Sequence, residues 1–219
     1  MPGPRPKGKP RVIRRRRFAK RRVQKTTNVN RSLQPVPSRY ICKMKYSTNV
    51  ATDINGQYIF NLNSLYDPDR TGTGHQPYGF DNLALLYNRY RVISCGWRIS
   101  SPTASYRQIG CIPSNDLGIT WDINDMKENP RAKYIIQSTG GGTMTLHGKS
   151  YLPALMGRTK TQYMADDNYQ AIVNTSPVEN ALLYITTATN AGDAEPFAQV
   201  QVLLEFTVEW FDIKHVVRS

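Results

Sequence analysis

From residue 39 onward, apolar side chains recur at every second position, and this alternation limits the fold more than any other feature of the chain. In residues 199–210, Val200, Val202, Leu204, Phe206, Val208 and Trp210 alternate with Gln199, Gln201, Leu203, Glu205, Thr207 and Glu209, the pattern of a long strand packed on one face. At the other end of the same region, Tyr40, Cys42, Met44 and Tyr46 interleave with Arg39, Lys43 and Lys45, so one face packs and the other is cationic. Further strands are expected over 57–62, 89–100 (Ile93, Cys95, Trp97 and Ile99 on one side), 108–112, 132–138, 143–152 and 181–189. Roughly eight strands separated by turn-rich loops, without the repeated helical segments of an α/β fold, predict an all-β domain: a single eight-stranded antiparallel jelly roll. Two short helices fit within it. Phe80, Leu83, Ala84 and Tyr87 follow i, i+3, i+4, i+7 spacing with Asp81 in the first turn, and residues 124–128 form a weaker candidate. Residues 113–130 and 158–178 are read as loops of the outer surface.

The chain has 219 residues, room for one domain of ordinary size or two small ones, and it can bury a core without staples. Its charge is unevenly placed. Residues 1–31 carry thirteen Lys and Arg and no acid, while the remaining sixteen basic and sixteen acidic residues cancel, so the whole net charge of +13 sits in this segment. The first ten residues mix Pro, Gly and cations, which disfavours helix and strand, and residues 11–25 can be helical only when a ligand neutralises them. The expected organisation is a disordered basic arm over 1–31, a Pro-containing linker over 32–38, and a folded domain over 39–219.

A charge block on a neutral body points to a polyanionic partner. Val12, Ile13, Phe18, Ala19 and Val23 are too few to give the arm a wide apolar face, and no stretch approaches a membrane span, so nucleic acid is expected and membrane insertion is not. The candidate phosphate-binding residues of the arm are Arg5, Lys7, Lys9, Arg11, Arg14, Arg15, Arg16, Arg17, Lys20, Arg21, Arg22 and Lys25. Residues 14–22, RRRRFAKRR, place seven charges in nine positions, a density that displaces condensed counterions from a phosphate backbone without reading base sequence. The same run suits a nuclear-import signal. Arg39, Lys43 and Lys45 continue the cationic surface into the first strand, or else blunt an edge strand in solvent.

Other motifs are weaker. Residues 67–72 imitate the start of a calcium loop, D-x-D-x-T-G, but the twelfth position is Tyr78 where a bidentate Glu belongs, so a structured turn is expected. Gly72, Gly74 and Gly79 match no phosphate-binding spacing and are read as shaping a loop with left-handed backbone. His75, His147 and His215 belong to no metal-ligand spacing, and G-x-S-x-G is absent; Asp116, Asp122 and Asp125 read as solvated loop carboxylates. Cys42, Cys95 and Cys111 form no C-x-x-C pair and read as reduced, buried thiols of a protein made for the cytosol or nucleus. No enzymatic role, metal or cofactor is expected.

Residues 61–92, NLNSLYDPDRTGTGHQPYGFDNLALLYNRYRV, resemble a segment of capsid proteins of small circular single-stranded DNA viruses, the circovirus-like group that encodes a replication initiator. The rest of the chain is similar to that family in layout: an arginine-rich arm before one jelly roll of the viral-capsid type. The resemblance implies a non-enzymatic coat protein that forms the smallest icosahedral shell with copies of itself. It implies packaging of a single-stranded DNA genome through the arm, DNA being favoured over RNA, and use of residues 14–22 with a host nuclear-import receptor. A cell-surface receptor of unknown identity, the virion, and the host nucleus during assembly complete the expected setting. The 74–90 portion is expected to be structural, a loop and short helix before a strand. The residues alone leave open a monomeric nucleic-acid-binding protein, a coat protein of a small RNA or satellite virus, and an enzymatic or carbohydrate-binding jelly roll.

Overall fold

The computed structural model describes residues 3, 36–52, 56–101, 107–136, 142–189 and 199–215. Contacts divide the chain into residues 1–33 and 34–219, and the fold described below is that of the second unit. The strands are β1 (Arg39–Ala51), β2 (Gln57–Asn61), β3 (Tyr87–Ser101), β4 (Arg107–Ser114), β5 (Lys133–Ile136), β6 (Met144–Tyr151), β7 (Ala171–Ile172), β8 (Leu182–Thr189) and β9 (Gln199–Ile213). Short helices α1 (Phe80–Ala84), α2 (Ile123–Glu128), α3 (Leu152–Leu155) and α4 (Lys160–Ala165) and a 3-10 turn (Asp167–Tyr169) lie between them.

Two antiparallel sheets result, one ordered β1-β9-β3-β6 and the other β2-β8-β4-β5, with the two-residue β7 added beside the start of β3. The first strand pairs with the last, and the chain passes repeatedly from one sheet to the other. This is the strand order of a jelly roll, two four-stranded sheets that wind around a shared core. The all-β expectation and every predicted strand are matched, with shifts of a few residues at the ends.

The inward faces form one core. Met44, Tyr46, Phe206 and Val208 from the first sheet meet Phe60, Ile109, Leu183 and Ile185 from the second. β8 is buried along 182–187 because α2 covers the sheet's outer side there, where Ile112, Met126, Leu182 and Tyr184 form a second small cluster. Asp122 starts α2 by accepting from the Ile123 N–H at 2.7 Å, which gives one member of the acidic cluster a capping role.

On β3 the alternation slips at a bulge between Val92 and Ser94. Val92 and Cys95 point to the core, and Ile93 instead lines a groove with Ile41 and Met164. The expectation that Ile93 shares a face with Cys95, Trp97 and Ile99 is therefore corrected, because the extra residue resets the period of two.

The expected loop over 158–178 is also corrected. It contains α4, the 3-10 turn and β7, with Tyr163, Tyr169, Ala171 and Val173 buried. A capping box starts α4: the Thr159 hydroxyl accepts from the Gln162 N–H and the Gln162 side chain accepts from the Thr159 N–H. Tyr163 then donates to the Val92 carbonyl at 2.9 Å and stacks on Tyr169, tying the segment to β3.

Gly148 faces Trp97 across the β3–β6 register, and a Cβ placed there would lie 2.3 Å from the indole ring. The ring cannot swing away freely, since its N–H reaches Ser150 Oγ at 3.4 Å and the Lys133 ammonium sits 5.4 Å from its centroid. Gly148→Val is expected to destabilise the domain by about 1–3 kcal/mol through overpacking. A denaturant midpoint equal to that of the native sequence would show that the strand pair absorbs the extra volume.

Candidate nucleic-acid interface

Arg5, Lys7, Lys9, Arg11, Arg14, Arg15, Arg16, Arg17, Lys20, Arg21, Arg22 and Lys25 lie outside the described residues. The structure does place Arg39, Lys43 and Lys45 on one face of β1, pointing out of the β1-β9-β3-β6 sheet, with side chains about two-thirds exposed or more. It also supplies partners that sequence reading missed. Lys43 Nζ donates to Glu205 Oε1 at 2.7 Å, Lys45 Nζ lies 3.9 Å from Glu205 Oε2, and Arg39 pairs with Glu209 Oε1 at 3.2 Å. The signal for these pairs was the polar face of residues 199–210; the antiparallel β1–β9 register, which sets Lys45 opposite Glu205 and Ile41 opposite Glu209, was needed to read it.

The Lys43 hydrogen bond, and then the charges of Lys43, Lys45 and Lys149, hold the Glu205 carboxyl below the usual carboxylate range. A depressed carboxyl pKa stabilises the fold above its unfolded value and loses that contribution as pH falls through the folded one. At this exposed position the contribution is small.

The two ends of this face differ. Near the start of β1, α4 covers the sheet, and Arg91 and Glu209 are sealed beneath it with side chains 6% and 5% exposed. Arg91 donates to the Met164 carbonyl at 2.8 Å and to Gln170 Oε1 at 3.0 Å, and its guanidinium lies over Phe211. Towards the end of β1 the face carries exposed side chains, and the register brings Arg98 of β3 and Lys149 of β6 onto it beside the two lysines. Sequence reading did not single out Arg98 or Lys149.

In the loop over 67–79 the candidates have structural contacts. Asp69 is buried, and its carboxylate accepts from the Tyr58 hydroxyl at 2.7 and 2.9 Å, from the Thr71 N–H at 3.1 Å and from the Thr71 hydroxyl at 2.8 Å. Its oxygens are thus occupied by Tyr58 of β2 and by Thr71 within the turn, the expected structured turn. Burial first, together with the neighbouring Asp69 carboxylate, pushes the Tyr58 hydroxyl up to about 12, so it stays a donor. Gly72 and Gly79 adopt the expected left-handed backbone, whereas Gly74 is set by close approach: a Cβ there would fall 2.7 Å from the Tyr46 hydroxyl. Asp69→Ala is expected to cost about 1–3 kcal/mol by stranding the Tyr58 and Thr71 donors, read as a lowered melting temperature that Tyr58→Phe in the same chain partly restores.

His75 lies in this loop and stacks on Tyr46 at 4.6 Å, while His147 is exposed on β6 and His215 follows β9. Among the described residues no group of three His, Cys, Asp or Glu side chains could hold a metal ion, and no helix is long and apolar enough to cross a membrane. The three cysteines are free thiols, and burial raises all three, Cys111 to about 12, which keeps them protonated at neutral pH.

No protein-family model and no curated protein sequence matches the chain. Among solved structures it is similar to that of Desmodium yellow mottle tymovirus, at 10% identity over 88% of this chain and 100% of that one, with a TM-score of 0.44. It is likewise similar to a semi-empty virus-like particle of the giant freshwater prawn Macrobrachium rosenbergii nodavirus, at 12% identity over 86% and 100% of the two chains, TM-score 0.47. Mud crab tombus-like virus gives 11% identity over 85% and 96%, TM-score 0.47. At these values the jelly-roll assignment rests on the strand order described above.

Proposed function

We propose that the chain is a structural coat protein: a jelly-roll domain over 39–219 that assembles with copies of itself into a small icosahedral shell, joined by a linker over 32–38 to a basic arm over 1–31 that packages the genome. The observation that carries this reading is the placement of the whole net charge in residues 1–31, ahead of a jelly roll whose charges balance. Packaging needs affinity without base preference, and salt-sensitive phosphate contacts from the arm cations supply it. Shell building needs close packing of identical rigid bodies, which a near-neutral domain allows. Many weak arms acting together give the genome a high avidity.

The genome is single-stranded DNA in this proposal, on the strength of the circovirus-like segment over 61–92, and residues 14–22 also engage a host nuclear-import receptor. A coat protein of a small RNA virus shares the fold and the arm chemistry. Sedimentation velocity of full-length protein prepared without nuclease, read at protein and nucleic-acid wavelengths, tests the core of the reading. A fast homogeneous boundary carrying nucleic acid, lost or emptied when residues 1–31 are removed, supports it; a slow monomer in every salt condition refutes it. Treating the extracted nucleic acid with DNase or RNase separates the DNA from the RNA alternative.

A further inference from the structure

The half of the β1-β9-β3-β6 face that α4 leaves uncovered among the described residues carries more charge than β1 alone accounts for. Lys45, Glu205, Gly96 and Lys149 lie in one row across the four strands, and Ser47, Leu203, Arg98 and His147 form the next. At a strand spacing of about 4.8 Å, Lys45 and Lys149 stand roughly 14 Å apart, with Arg98 about 7 Å along from the row that joins them. Among the described residues Glu205 is the single acid in this half; the other two acids of the four strands, Glu209 and Asp212, lie at the opposite end. Arg98 and Lys149 are exposed, and neither makes an ion pair or side-chain hydrogen bond among the described residues. Gly96 leaves a trough between Glu205 and Lys149, and beside it a shallow depression of about 160 Å³ is lined by Ser47, Arg98, Ser100, Gln201 and Leu203.

We infer that this half-face is a second, sequence-independent binding surface for the phosphodiester backbone of single-stranded nucleic acid, with Arg98 and Lys149 as its contacting cations and the lining hydroxyl and amide groups as donors. Guanidinium, ammonium, Ser and Gln groups are the usual phosphate partners, and a sheet holds them at fixed spacing. Glu205 tempers the surface by occupying Lys43. The inference rests on the coat-protein reading and extends it from the arm to the body.

The test uses the full chain and a fluorescent oligothymidylate, with anisotropy titrations at several salt concentrations. Arg98→Ala/Lys149→Ala is expected to make the slope of log affinity against log salt shallower by about 1.4 and to weaken binding by about 25-fold at 0.1 M salt, two single-strand phosphate contacts being lost. Glu205→Gln, which releases Lys43, is expected to tighten binding by about 5-fold on the same basis. Arg131→Ala/Lys160→Ala removes equal charge elsewhere and should leave the slope unchanged. An unchanged slope in the Arg98/Lys149 variant, or an equal change in the control, overturns the inference. If neutralising residues 14–17 abolishes binding while the Arg98/Lys149 variant matches the native chain, only this inference falls. If the native chain shows no salt-dependent binding, the coat-protein reading falls with it. Thermal melts of each variant confirm that the fold is intact.

Discussion

Glu209→Ala is expected to destabilise the unassembled domain by about 3–5 kcal/mol, because it leaves the Arg91 guanidinium buried without its carboxylate. Arg91 is held under α4 by hydrogen bonds to Met164 and Gln170, so it cannot escape to solvent without lifting the helix. Burial pushes this guanidinium down and Glu209 opposes the shift, which shows the direction of the strain when the acid is removed. Urea unfolding at neutral pH reads the effect as a lower midpoint at unchanged slope. The double replacement Arg91→Met/Glu209→Leu should recover most of the loss, since a buried ion pair exchanged for apolar groups of similar volume is often neutral or stabilising. A loss below about 1 kcal/mol for Glu209→Ala would mean that Gln170 and the Met164 carbonyl satisfy Arg91 unaided.

The neighbouring residue produces an effect of similar size for the opposite reason. Trp210 points inward, fully buried, with its ring centroid 5.6 Å from Phe80, 5.7 Å from Tyr90 and 6.3 Å from Tyr87. It therefore anchors α1 and the start of β3 to β9. Trp210→Ala is expected to cost about 3–5 kcal/mol through the cavity it opens, and Trp210→Phe less than half of that. Near-ultraviolet circular dichroism should fall in the alanine variant, and limited proteolysis should cut between residues 74 and 86, where the loop and helix lose their support. Full resistance to cleavage there would show that Lys214, which donates to the Ala84 carbonyl at 2.7 Å and from its N–H to the Leu86 carbonyl at 2.9 Å, is enough to hold the segment.

Glu209 and Trp210 also mark how far the chain could be read from its residues. Strand alternation is a local property, fixed by the pleat, so the inward face of β9, the cationic face of β1 and the all-β class were all visible as period two. The turn over 67–72 was legible for the same reason: the groups that Asp69 accepts from include Thr71, two residues away. The jelly-roll strand order agrees with what strand count and spacing predicted.

Which outward residues meet water was not local. Glu209 reads as solvent-facing because it shares a face with Gln201 and Glu205, and it is buried only because residues 160–165 fold across the sheet from far along the chain. The bulge at residues 92–94 reversed the direction of Ile93, a one-residue slip that no pattern within β3 announces but that the pairing with β9 imposes. The same pairing decided that Lys43 and Lys45 meet Glu205 and that Arg98 and Lys149 join them on one surface. Residues 39–51 and 199–213 lie at opposite ends of the folded domain, so their charges become neighbours only when the first and last strands zip together. Outside the bulge, periodicity along the chain determines which way a strand side chain points; the partner that covers, pairs or exposes it is chosen by contacts across the chain, and those exist only in the assembled sheets.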